Sequence, residues 1–111
     1  IIGMTGLFIG GAVYGIPVVI DGFISSIAAL AACRIDSRVK SFIIPSHLSD
    51  EPAAAYILNE LGFKPFITSG MFLGEGSGAV SLMSLLDMAL DVYSGLNTFD
   101  KWEHEAYKVL R

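Results

Sequence analysis

Cysteine, positive charge and metal-ligand spacing are all scarce in this sequence. The one cysteine, Cys33, sits in an Ala-rich run, so no internal disulfide can form and the thiol reads as a small buried hydrophobe. Nothing argues for an oxidising compartment, and cytoplasmic placement is the expectation. His47 has no Cys or acidic partner at ligand spacing, which speaks against a metal site or a triad, and no cofactor is called for. Lys and Arg number 7 against 11 Asp and Glu, a formal net charge of −4. A nucleic-acid partner is therefore not expected, because phosphate backbones are held by clustered basic residues. Repeats, low-complexity stretches and linkers are also missing.

Charge is absent from residues 1–20, IIGMTGLFIGGAVYGIPVVI. That run is long enough for a membrane span, which needs about 20 apolar residues. Its five glycines, and Pro17 followed by β-branched Val18, Val19 and Ile20, argue instead for two elements with a turn at Tyr14-Gly15. The Gly6/Gly10 and Gly11/Gly15 spacings suit a helix packed closely on a sheet. No membrane partner is expected.

What is present is a core-forming chain: 111 residues, 53% hydrophobic, enough for one globular domain. Ile16–Ile20 reads as a strand, apolar on both faces as a covered parallel strand must be, ending at Asp21-Gly22. Residues 23–35 read as a helix, with Arg34, Asp36 and Arg38 at its solvated end. Residues 41–45 read as a second strand and 46–52 as a loop, with Ser49 the N-cap of a helix over 53–61 that Gly62 stops. Residues 64–68 make a third strand. A helix over 79–96 and an amphipathic terminal helix over 98–111, carrying Trp102 and Tyr107, complete the pattern. Alternating helices and strands specify an α/β fold, a parallel sheet with helices on both faces. Ligands of such sheets sit beyond the carboxyl ends of the strands. Those ends are Asp21-Gly22, Ser46 to Ser49, and the loop Gly74-Glu75-Gly76-Ser77-Gly78 within the stretch LGEGSGA.

A glycine-rich turn entering a helix presents unpaired N–H groups and a partial positive charge, an arrangement that holds phosphate. Gly74, Gly76, Ser77 and Gly78 fit it. Glu75 in the same turn suits a hydrogen-bond acceptor or a modest base; the bland reading is that it only supports the first helical turn. Ser46 and Ser49 could touch phosphate, although capping is the commoner use of such serines. Asp21 could serve a ligand or cap the helix that follows it. From the residues alone the chemistry is a phosphate-bearing ligand, one candidate base and no metal.

Four stretches taken together, GIPVVIDGF, IPSHLSDEP, LNELGFKPF and LGEGSGA, resemble the C-terminal third of the nicotinate-nucleotide:dimethylbenzimidazole phosphoribosyltransferases. The resemblance implies a Rossmann-like parallel fold, usually dimeric. It also implies transfer of the phosphoribosyl group of nicotinate mononucleotide to 5,6-dimethylbenzimidazole, giving α-ribazole phosphate for the lower ligand of cobalamin. Glu75 would be the proton acceptor. Asp21, Gly22, Ser46, Ser49, Gly74, Gly76 and Ser77 would contact the mononucleotide, and Leu73 would line the base pocket. Ser77 stands where Thr is common, and Met71-Phe72 replaces a stretch that often carries Arg.

The chain starts at Ile-Ile-Gly without an initiator Met, and the family's upstream G-E-M-G-I-G-N-T-T-like motif is not in it. Residues 1–111 are accordingly expected to be a C-terminal fragment of one such domain, a three-strand piece inactive alone and partnered by the N-terminal part and a second copy. Against this stand a catalytically silent phosphate-binding or oligomerisation domain on the same scaffold and, more remotely, a membrane-anchored module.

Overall fold

The computed structural model describes residues 1–97, so the helix expected over 98–111, with Trp102 and Tyr107, lies outside the described residues. The uncharged N-terminal run divides as expected. Helix α1, Ile2–Tyr14, ends at Gly15, and strand β1 is Val18–Ile20. At 13 residues α1 covers about 20 Å at 1.5 Å per residue, short of the ~30 Å of a bilayer core. No described helix is long and apolar enough to cross a membrane. The return from α1 to β1 is tight. A Cβ on Gly11 would stand 2.7 Å from the Ile16 carbonyl oxygen and overlap Val18.

Helix α2, Phe23–Ile35, forms over the residues its Ala and Leu content indicates. It buries Ala28, Ala29 and Ala32 completely, and side chains this small let both α1 and α3, Ala54–Leu61, pack against it. Phe8, Ile20, Val39, Ile43, Leu58 and Leu61 complete the core. Cys33 is half-buried against this cluster, and burial pushes its thiol up from its ordinary value, as suits an unreactive packing residue.

Residues 37–42, expected to lead into a strand from Ser41, instead form a 3₁₀ helix, Ser37–Phe42. Asp36 causes this by accepting a hydrogen bond from the Arg38 backbone N–H at 3.0 Å, a local closure that turns the chain before a strand can start. Strand β2 is therefore shortened to Ile43–Pro45.

All the pairing is parallel. Strand β1 pairs with β2 in the register Val18↔Ile43, Val19↔Ile44 and Ile20↔Pro45. The stretch expected to be a loop after Pro45 contains a further strand, β3, His47–Ser49, paired with β4, Ile67–Met71. Ser46 hands the chain from one neighbour to the other. Its N–H donates to the Ile20 carbonyl at 3.3 Å, and its own carbonyl accepts from Phe66 and Ile67 at 3.1 and 3.0 Å. The third strand starts three residues later than expected because Pro65 has no N–H to give, so pairing begins at Phe66 and Ile67. Between His47↔Ile67 and Ser49↔Met71 the β4 side holds extra residues, a bulge that turns the chain toward Phe72.

Helix α3 starts at Ala54 after a turn through Glu51 to Ala53, so Ser49 is a strand residue and not its cap. Helix α4, Ser77–Gly95, starts two residues earlier than expected and buries only Gly78 and Leu82 among its described residues.

Candidate functional site

The carboxyl ends of β1, β3 and β4 open onto one cavity of about 410 Å³. Asp21, Gly22, Ser49, Leu73, Gly74, Glu75 and Gly76 line it, joined by His47, Glu51 and Phe72. Seven of the nine residues given a role by the family resemblance are thus brought together. Ser46 and Ser77 are placed differently.

Ser46 is wholly buried beneath the cavity, its hydroxyl donating to the Asp21 carbonyl at 3.0 Å and lying 3.0 Å from His47 Nδ1. A hydroxyl has one proton. The Asp21 carbonyl can only accept, so the Ser46 oxygen accepts from His47, and His47 carries its proton on Nδ1. Ser77, at the first position of α4, keeps its Oγ out of solvent with no hydrogen-bond partner among the described residues. Ser49 donates to Glu51 Oε2 at 3.1 Å.

For Asp21 the sequence leaves open a choice between ligand contact and cap of the following helix. The structure gives the second task to Ser25, whose Oγ accepts from the Asp21 and Gly22 N–H groups at 3.0 and 2.9 Å at the start of α2. The Asp21 carboxylate turns the other way, to α4. Oδ2 accepts from the Gly76 N–H and Oδ1 from the Ala79 N–H, both at 3.0 Å. A negative group on these orphan donors is favoured twice, by the hydrogen bonds and by the helix dipole. The first-turn support assigned to Glu75 in its bland reading is therefore supplied from 55 residues away.

Glu75 is left exposed, and among the described residues its carboxylate makes no hydrogen bond or ion pair. Its backbone is unusual. With φ of 56° it is the one described non-glycine residue in the left-handed region, between Gly74 at 73° and Gly76 at 83°. For a residue with a Cβ this conformation costs about 1–2 kcal/mol. The turn closes through the Ser77 N–H to the Gly74 carbonyl at 3.0 Å, which lifts the Glu75 side chain onto the cavity rim.

Comparisons with known proteins place the chain in a family. Residues 1–103 match the family described as phosphoribosyltransferase (DBI_PRT). Nicotinate-nucleotide–dimethylbenzimidazole phosphoribosyltransferase of Clostridium acetobutylicum is 49% identical over 111 residues, 100% of this chain and 32% of that protein. This chain belongs to that phosphoribosyltransferase family. The Acetivibrio thermocellus protein of the same name is 45% identical over 108 residues, covering 97% of this chain and 31% of its own length. The crystal structure of the phosphoribosyltransferase from Thermus thermophilus superposes with a TM-score of 0.84 at 32% identity, covering 94% of this chain and 31% of that one. The chain thus spans about a third of the length of these relatives.

Within this strand-end cavity, His47 is the residue that sequence reasoning set aside. Its lack of a ligand partner removed a metal role but said nothing of packing. The signal that could have found it is Gly78, since a Cβ there would fall inside the imidazole ring. Phe72 and Glu51 were likewise missed as cavity residues, because their neighbours in space come from other strands.

Proposed function

We propose that this segment supplies the mononucleotide side and the base of a phosphoribosyl transfer from nicotinate mononucleotide to 5,6-dimethylbenzimidazole, the lower-ligand step of cobalamin assembly. The observation that carries the reading is Glu75: an uncommitted carboxylate, held in a left-handed turn at the rim of the strand-end cavity. An unprotonated benzimidazole nitrogen attacks the anomeric carbon from the face opposite the nicotinate. The glycosidic C–N bond breaks and its electron pair goes to the pyridine nitrogen, so nicotinate leaves with a neutral ring and needs no acid. The attacking ring becomes cationic, and its remaining N–H proton passes to Glu75. A carboxylate beside the ring also favours an oxocarbenium-like transition state.

The same reading accounts for the large apolar side chains left exposed, Ile2 at 90% and Leu7 at 67% on α1, and Leu90 at 63% and Tyr93 at 89% on α4. Faces of this kind are ordinarily covered. The remainder of a longer protein, and a second copy in a homodimer, are the partners that fit.

The test is product formation by the intact protein that carries this segment, at saturating nicotinate mononucleotide. Replacing Glu75→Gln keeps the side chain's size and removes the base. Turnover should fall on the order of 10²- to 10⁴-fold with mononucleotide binding retained. Turnover close to wild type would end the assignment of Glu75 as proton acceptor.

A further inference from the structure

We propose that Asp21 is a positioning residue for Glu75 and not a contact to the mononucleotide. The inference rests on the reading of Glu75 as the base.

Both Asp21 carboxylate oxygens are already used, one on the Gly76 N–H and one on the Ala79 N–H. Gly76 directly follows Glu75, so one of the two bonds fixes the peptide that carries the base. The Glu75 side chain has no bond of its own among the described residues, so the only restraint on it is its backbone, which decides where the Cβ points and what space the carboxylate can reach. That backbone sits in a region that residues with a Cβ avoid, so an outside restraint is required to hold it.

Asp21 is itself immobilised. Its N–H donates to Ser25 Oγ and its carbonyl accepts from Ser46 Oγ, both at 3.0 Å. Ser46 is fully buried and in turn accepts from His47, whose ring fills the space where a Cβ of Gly78 would stand. The first turn of α4 is therefore clamped at Gly76 and Ala79 by a carboxylate and at Gly78 by an imidazole. Both belong to one hydrogen-bonded unit at the carboxyl end of β1 and the start of β3. An anion already on the α4 N-terminus also leaves this place electrostatically unfavourable for a second anion, which argues against Asp21 and a phosphate sharing the same donors.

The experiment compares kcat and KM for nicotinate mononucleotide in the intact protein, wild type against Asp21→Asn, Glu75→Gln and the double variant. Asn keeps the volume and one acceptor oxygen. With Asp21→Asn, kcat should fall about 10²-fold, the loss expected of a base displaced by an ångström, with KM held within about twofold. The double variant should be no slower than Glu75→Gln alone, because Asp21 acts only through Glu75. Amide hydrogen exchange of Asp21→Asn should be faster at Gly76 and Ala79, with protection of α2 retained.

A raised KM at unchanged kcat would make Asp21 a substrate contact and overturn the proposal. Multiplicative losses in the double variant would do the same, as would loss of protection through α2, which would mark a residue of the fold. If Glu75→Gln is impaired while Asp21→Asn turns over normally, the base stands and positioning alone fails. If Glu75→Gln is fully active, the base assignment fails and takes this inference with it.

Discussion

Helix α2 buries Ala28, Ala29 and Ala32 completely between two other helices, whereas α4, at 19 residues against 13, buries only Gly78 and Leu82. The first is held by contact area spread over many small apolar atoms. The second is held at its N-terminus by two hydrogen bonds to Asp21, one close approach to His47 and one apolar anchor. The difference teaches which part of the molecule a single substitution can displace. A core built of distributed contacts loses a fraction of its stability when one atom is removed, but a turn fixed by four points can be misplaced by a single change. The strained residue, Glu75, lies on the second kind of support, and its left-handed backbone persists only because surrounding groups over-determine it.

The comparison breaks most readily at Leu82, which is 1% exposed and is the buried large apolar side chain of α4. Replacing Leu82→Ala should destabilise by about 2–5 kcal/mol, read from the midpoint of chemical denaturation. Amide exchange should also quicken at Gly76 and Ala79 before it does in α2. Uniform loosening of both helices would mean that they share one support.

A smaller effect separates two adjacent glycines of α1. Gly11 has no room for a Cβ, while nothing lies within 4 Å of a Cβ built on Gly10. Gly11→Ala should cost about 1–3 kcal/mol through overpacking against Val18. Gly10→Ala should stabilise by about 0.5–1 kcal/mol, since alanine is the better helix former. Equal effects at the two positions would contradict the close return from α1 to β1.

The smallest effect is expected at Asp36. Side-chain hydrogen bonds from Arg38, and then the Arg38 backbone N–H, hold its carboxyl below the usual carboxylate value. A value lowered in the folded state contributes stability above the unfolded value, and that contribution is lost as pH falls through the folded one. Asp36→Asn should therefore lower stability slightly at neutral pH and not at all in acid, which flattens the acid limb of the stability profile; the loss is small because the pair is exposed. High salt should do likewise, because the pair lies in solvent. A large loss at neutral pH would show that exposed polar bonds here matter as much as the Asp21 bonds do.

Much of the scaffold was legible from local chemistry. The Ala- and Leu-rich run over 23–35 and the stop at Gly62 depend on near neighbours and on side-chain period, and they formed where the sequence put them; the apolar strand before Asp21-Gly22 ends as expected but begins two residues later, at Val18 and not Ile16. The parallel α/β class followed from the order of elements, and the site followed from the class, because ligands collect at strand ends. Glu75 and five companions picked out on that ground, Asp21, Gly22, Ser49, Gly74 and Gly76, line one cavity, together with Leu73, which the family resemblance added.

The remainder depended on groups distant in the chain. Whether residues 47–49 were loop or strand was settled by β4 arriving alongside, and where β4 began was settled by the first N–H groups after Pro65 that could reach Ser46. Nothing near Asp21 indicates that its carboxylate caps a helix 55 residues later, nor does anything near His47 indicate that Gly78 makes room for it. The sequence by itself determined the local conformations and the residue types available for chemistry, because propensity, capping and apolar period act over a few residues. Only the tertiary structure decided which polar group satisfies which donor, because hydrogen-bond partners are chosen by distance in space, and with that choice it left Glu75 free while Asp21 was not.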